Sequence, residues 1–246
     1  MNPTLTGATA ARVLAQLRRD RRTIGLIMIV PCVLLWLFKE VFAGQPLVFQ
    51  HVAPAMLGVF PLLMMFLVTS VAMVRERTSG TLERLMTTPL GKADLILGYA
   101  LAFGALALIQ AAFATTVLLG LLGLNAPASV PVLLLVAVAD ALLGTALGLG
   151  VSALAATEFQ AVQFMPAVIL PQFLLSGLLA PTGSMAGWLD ALSRIMPLRY
   201  GVDAITRLTS GTATVDTTVW WDLVVIVGCV LLALIIGSAT LRRVRA

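Results

Sequence analysis

Long apolar runs alternate with short polar stretches along the whole chain. Runs at residues 24–42, 53–74, 95–124, 132–156, 164–180 and 219–241 each come near the roughly 20 residues a helix needs to cross a bilayer. The expected fold is all-α: one integral membrane domain over residues 1–246, with six transmembrane helices. Ahead of the first run, residues 10–22 set Val13, Leu14 and Leu17 in a stripe among Arg12, Arg18, Arg19, Arg21 and Arg22, the pattern of an amphipathic interfacial helix. A basic lead and a short apolar run also describe a secretory signal. Lys39 and Glu40 interrupt the approach to a cleavage site and five more runs follow, so the first run is read as a retained span.

The punctuation adds detail. Gly44, Pro46 and His51 mark residues 43–52 as an outer loop, Pro61 is placed to kink the second span, and the long third run is expected to tilt or break near Gly120 and Gly123. Gly144 and Gly148 form a GxxxG pair that lets a neighbouring helix approach. In residues 182–218, Trp188, Leu189, Leu192, Ile195 and Met196 recur at helical spacing between polar residues, as in a helix at the outer interface.

Composition excludes a soluble domain: 60% of residues are hydrophobic, 11% are charged and the mean hydropathy is +1.03. The net charge of +5 does not point to nucleic acid, because the basic residues gather at span ends instead of along one helical face. They report topology. Of the 16 Lys and Arg, only Lys39, Arg194, Arg199 and Arg207 fall in the outer segments, which places both termini in the cytoplasm. Cys32 and Cys229 sit inside spans without metal-like spacing and read as packing residues; no metal site is expected.

The polar island RERTSGTLERLMTTPLGK, residues 75–92, separates the second and third runs. Arg75, Glu76 and Arg77 are expected to stop the incoming helix at the headgroups. Leu82, Leu85 and Met86 then share one face of a short helix over residues 80–87, which Pro89 ends. Two readings fit, a plain basic loop or a peg for a soluble partner. The order Arg75-Glu76, Gly80-Thr81-Leu82-Glu83 and Thr88-Pro89-Leu90 resembles the RE, GTLE and TP-L signature of ABC-2 type transporter permeases. Pro166, Phe173 to Gly177 and Pro181 are similar to that family's fifth helix, and Pro197-x-x-Tyr200-x-x-Asp203 to its re-entrant element before the last helix.

The resemblance implies a coupling helix, carried by Arg75, Glu76, Gly80, Thr81, Leu82, Glu83, Leu85 and Pro89, that docks in a cleft of an ATP-binding subunit. It also implies a bacterial cell membrane location, two ATP-binding subunits that hold ATP and Mg, a second permease chain of the same or a paralogous kind, and export. No cofactor is expected on this chain itself: Gly91-Lys92 is followed by Ala93 and lacks the upstream glycine of a phosphate-binding loop, so this is a transport subunit without its own ATPase site. The outer element would use Pro197, Tyr200, Asp203 and Arg207, with Asp203 and Arg207 as i,i+4 neighbours.

Asp140 is the one carboxylate well inside a predicted span and so a candidate intramembrane polar site, either a proton or cation step or a structural group two turns from the outer end that reaches water or an outer Arg. Glu158, in the turn Thr157-Glu158-Phe159-Gln160, is either a second partner contact or part of a simple hairpin. The apolar spans and 7% aromatic content suggest a hydrophobic or amphipathic cargo such as a drug, antibiotic or lipid, ahead of a polysaccharide. A proton-driven secondary transporter using Asp140 is the rival from another class. With one histidine and no nucleophile–base pair, an intramembrane enzyme is disfavoured.

Overall fold

The apolar runs fold into helices in a computed structural model that describes residues 3–81, 91–124, 129–210 and 215–240. Every regular element among the described residues is helical. In chain order these are α1 (Pro3–Arg19), α2 (Arg21–Val41), α3 (Pro46–Thr78), α4 (Lys92–Thr116), α5 (Val130–Ser152), α6 (Glu158–Leu175), α7 (Gly187–Ser193), α8 (Pro197–Thr209) and α9 (Thr217–Thr240). A π-helical turn, Val117–Leu121, extends α4, and a 3-10 turn, Thr182–Ser184, precedes α7.

Five segments among the described residues are long and apolar enough to cross a membrane: Arg21–Val41, Pro46–Thr78, Asp94–Leu121, Val130–Ser152 and Thr217–Gly237. The stretch expected as a further span, residues 164–180, belongs to α6, whose 18 residues include Glu158, Gln160, Gln163 and Gln172. These polar groups dilute its apolar run. The helix also starts earlier and ends sooner than expected, because Gly177 takes φ +93° just beyond Leu175 and residues 176–180 leave helical geometry.

Other boundaries move for local reasons. The expected interfacial helix, residues 10–22, runs from Pro3 and stops at Arg19, where Asp20 caps α2 by accepting from the Thr23 N–H at 3.1 Å and the Thr23 hydroxyl at 2.7 Å. Those bonds hold the Asp20 carboxyl below its ordinary range. Most of the expected outer loop, residues 43–52, is helical, since Pro46 suits the first position of α3. At the other end, α3 does not stop at Arg75. It carries Arg75, Glu76 and Arg77 in its last turns and ends at Thr78, before Gly80 turns the chain at φ +71°. The long third run does change geometry near Gly120, as a π turn, and Gly123 takes φ +73°.

Packing is centred on α3 and α5. Two-thirds (67%) of the membrane-length window of each is buried, against 17% for α2 and 22% for α9. Leu57, Leu62 and Phe66 of α3 meet Leu133 and Leu143 of α5 in one core with Leu198 and Ile205 of α8. The GxxxG pair brings the two backbones together: a Cβ on Gly144 would collide with the Leu62 carbonyl, and one on Gly148 would lie 2.6 Å from the Phe66 carbonyl oxygen. Because those neighbours are backbone atoms, Gly144→Val is expected to cost at least the roughly 1–3 kcal/mol of ordinary overpacking. Thermal unfolding of the detergent-solubilised chain checks this, with Gly150→Val as control, since nothing lies within 4 Å of a Cβ there.

Candidate coupling site

The three charged residues at the end of α3 each grip a different element. Arg75 donates from Nε to Glu158 Oε1 at 2.9 Å and from Nη2 to Oε2 at 3.0 Å, a bidentate pair that ties α3 to the start of α6. Glu76 receives Arg12 of α1 at 3.3 Å and 3.4 Å. Arg77 donates to the carbonyls of Ala153, at 3.3 Å, and Ala155, where α5 ends. A cation at those terminal carbonyls is the arrangement a helix C-terminus favours.

Arg12 makes the middle grip a three-helix joint. Its Nη2 donates to the Tyr99 hydroxyl of α4 at 2.7 Å, and its guanidinium lies 5.8 Å from the centre of the Tyr99 ring. Next to it α1 rests on α4 at a glycine, since a Cβ on Gly98 would come within 2.6 Å of Thr9 Cβ. The Thr6 hydroxyl donates to Asp94 at 3.2 Å. α1 is thus bolted to the base of the loop. A sequence reading that saw only its amphipathic stripe missed Arg12 and Tyr99. The available signal was that Arg12 adjoins Val13, on the apolar edge of α1, whereas the other arginines cluster at its end.

The turn before α6 is set by its own sequence. Thr157 caps the helix by accepting from the Gln160 N–H at 3.1 Å, and Gln160 Oε1 reaches back past the cap to the Ala156 N–H at 2.7 Å, a variant of the capping box displaced by one residue. That fixes Glu158 in the first turn, where Arg75 meets it and holds its carboxyl below the ordinary glutamate range. Since Glu158 is more acidic folded than unfolded, the pair stabilises above the ordinary glutamate pKa and is lost as pH falls through the depressed value. The side chains are exposed, so the effect is expected to stay within about 1 kcal/mol. Melting curves of wild type and Glu158→Gln should differ slightly at pH 7 and converge in acid.

Of the residues expected to form the coupling element, Arg75, Glu76, Gly80 and Thr81 stand at this junction. Leu82, Glu83, Leu85 and Pro89 lie outside the described residues. The outer-element residues form a separate group. Pro197 opens α8, the Tyr200 hydroxyl donates to the Arg194 carbonyl at 2.8 Å, and Arg207 Nε donates to Asp203 at 2.8 Å as an i,i+4 pair. Asp190 binds Arg194 at 2.7 Å and Arg199 at 3.0 Å, which ties α7 to α8 and lowers the Asp190 carboxyl pKa.

Asp140 belongs to neither group. It is fully enclosed, and neither carboxylate oxygen has a hydrogen-bond partner among the described residues. The expectation that it reaches water or an outer Arg is not met: its carboxylate fits between Gly58 of α3, where a Cβ would stand 2.7 Å from Oδ2, and Gly201 of α8, where a Cβ would overlap both oxygens.

A profile of the ABC-2 type transporter family matches residues 4–208, taking in nearly all of α1, the Arg75-Glu76-Arg77 cluster and most of α8. The chain belongs to the ABC-2 type transporter family. This ABC-2 chain is 31% identical over 182 residues to the probable multidrug ABC transporter permease YbhR of Escherichia coli (strain K12), covering 71% of the chain and 48% of that protein. It is 27% identical over 143 residues to the probable multidrug ABC transporter permease YbhS of the same strain, covering 58% of the chain and 38% of that protein. It is also 28% identical over 158 residues to ABC transporter G family member 20 of Dictyostelium discoideum, covering 63% of the chain and 21% of that protein. The chain therefore spans about half, or less, of the length of these relatives.

Proposed function

We propose that this chain is the membrane subunit of an ATP-driven exporter that moves a hydrophobic or amphipathic compound, such as a drug, antibiotic or lipid, out of the cytoplasm. The observation that carries this reading is the clamp. Arg75, Glu76 and Arg77, at the mouth of the loop, hold α6, α1 and α5, so a push on the loop reaches three membrane-associated helices at once. A loop built only for solubility has no need of such ties.

In this reading the segment 80–87 is the coupling helix, with Glu83 and Leu85 seated on a separate ATP-binding subunit. Two such subunits bind ATP and Mg, and a second permease chain, identical or paralogous, completes the pathway. The chain contributes no catalytic group to ATP hydrolysis. Residues 164–180, which take in most of α6, serve as the fifth of six spans, both termini are cytoplasmic, the membrane is the bacterial cell membrane, and Pro197, Tyr200, Asp203 and Arg207 belong to the outer re-entrant element. YbhR and YbhS, named as multidrug permeases, support a drug-like cargo over a polysaccharide.

The test is ATP-dependent uptake of a lipophilic cationic dye into inverted vesicles that contain this chain with its genetically neighbouring ATPase. Uptake is expected only with ATP and both proteins, and it should disappear in Leu85→Asp. Uptake that ignores ATP would reject the reading. A second reading, proton-driven transport, draws on the burial of Asp140 without a hydrogen-bond partner among the described residues. It predicts uptake driven by a proton gradient and abolished by Asp140→Asn.

A further inference from the structure

Beside Arg75 and Glu76 lies a cavity of about 570 Å³ between α1, α2, α3 and α4, with Val162 of α6 at its edge, within the roughly 300–1,000 Å³ typical of small-molecule sites. Its wall is apolar and includes Leu17, Leu26, Ile27, Leu67, Val71 and Phe103. The charged groups at its mouth are already engaged. Asp20 caps Thr23, Glu76 holds Arg12 and Arg75 holds Glu158.

The unengaged charge next to this mouth is positive. Arg18, Arg19, Arg21 and Arg22 flank Asp20 in the joint between α1 and α2, all four are exposed, and none makes an ion pair among the described residues. Arg19 and Arg22 do not line the cavity, but each stands one helical turn from a residue that does. Arg19 follows the lining residue Gln16 by one turn on α1, and Arg22 precedes the lining residue Leu26 by one turn on α2.

We propose that this cavity holds an anionic phospholipid, with the headgroup phosphate between Arg19 and Arg22 and an acyl chain against Leu26, Leu67 and Val71. Guanidinium groups match phosphate geometry, and an apolar slot beneath a cationic rim matches the two ends of such a lipid. A cationic amphiphile would meet four free cations before reaching two engaged carboxylates. The bound lipid holds α1 against α2 and α3, and so keeps Arg12 in register with Glu76. The site stands independently of what the protein transports.

Native mass spectrometry of the purified chain, taken from nanodiscs of phosphatidylcholine with graded phosphatidylglycerol, tests the site. Phosphatidylglycerol should be retained in preference to phosphatidylcholine. Arg19→Gln with Arg22→Gln should weaken its retention about 25-fold, from two lost cations near a lipid surface. The Lys versions of both should restore much of it. Val71→Trp, which fills the slot and keeps the arginines, should also abolish preferential retention. Equal retention of the two lipids, or loss in neither the Gln pair nor Val71→Trp, overturns the proposal. Loss in the Gln pair with full retention in Val71→Trp also overturns it, since a basic surface alone would then be enough.

Discussion

Arg12→Ala is expected to loosen α1 and cost the fold about 2–3 kcal/mol, somewhat less than breaking a fully buried ion pair. The reason is burial: the Arg12 side chain is 28% exposed and that of Glu76 only 12%, so removing the guanidinium strands a largely desolvated carboxylate. Tyr99 loses its 2.7 Å partner in the same step. Denaturant unfolding in detergent micelles measures the loss. A double-mutant cycle with Glu76→Gln should return a coupling of at least about 1 kcal/mol, above the few tenths expected of independent sites. Additive effects would mean that the contact carries no energy.

Gly201→Ala is the second large effect. A Cβ there would occupy the space of the Asp140 carboxylate, so α8 must lift away from α5, at a cost of about 1–3 kcal/mol or more. The same geometry predicts a rescue. Asp140→Ala removes the colliding group and forfeits no hydrogen bond among the described residues, so Asp140→Ala with Gly201→Ala should recover most of the stability. Asp140→Asn keeps the shape and should not rescue. Melting temperatures of the four variants decide. Rescue by Asn would mean that charge, not space, sets the fit.

The apolar periodicity carried most of the helical framework, because a membrane helix has to announce itself in a run of about 20 residues. Gly144 and Gly148 were legible as a close approach because few residue types permit one, and they do bring α5 onto the α3 backbone. What stayed hidden depended on long-range pairing. Arg75, Glu76 and Arg77 looked like a helix stop at the headgroups, since nothing local says that Glu158, Arg12 and the end of α5 wait to receive them. Distance along α5 alone sets Asp140 near water, and the packing of α8 over it is a long-range contact that no local pattern carries. Pro46 breaks a helix from inside but starts one at its first position, so α3 takes up most of the stretch expected as a loop.

If loop motion enters the membrane through the end of α3, weakening one grip should spare ATP hydrolysis and impair transport. The measurement is the ratio of dye transported to ATP hydrolysed in vesicles that hold the ATPase and either wild-type chain or Glu76→Gln, with membrane insertion checked in both. A ratio at least tenfold lower with hydrolysis preserved is the predicted result. An unchanged ratio, or transport and hydrolysis falling in proportion, would contradict a transmission role for the joint between Glu76, Arg12 and Tyr99.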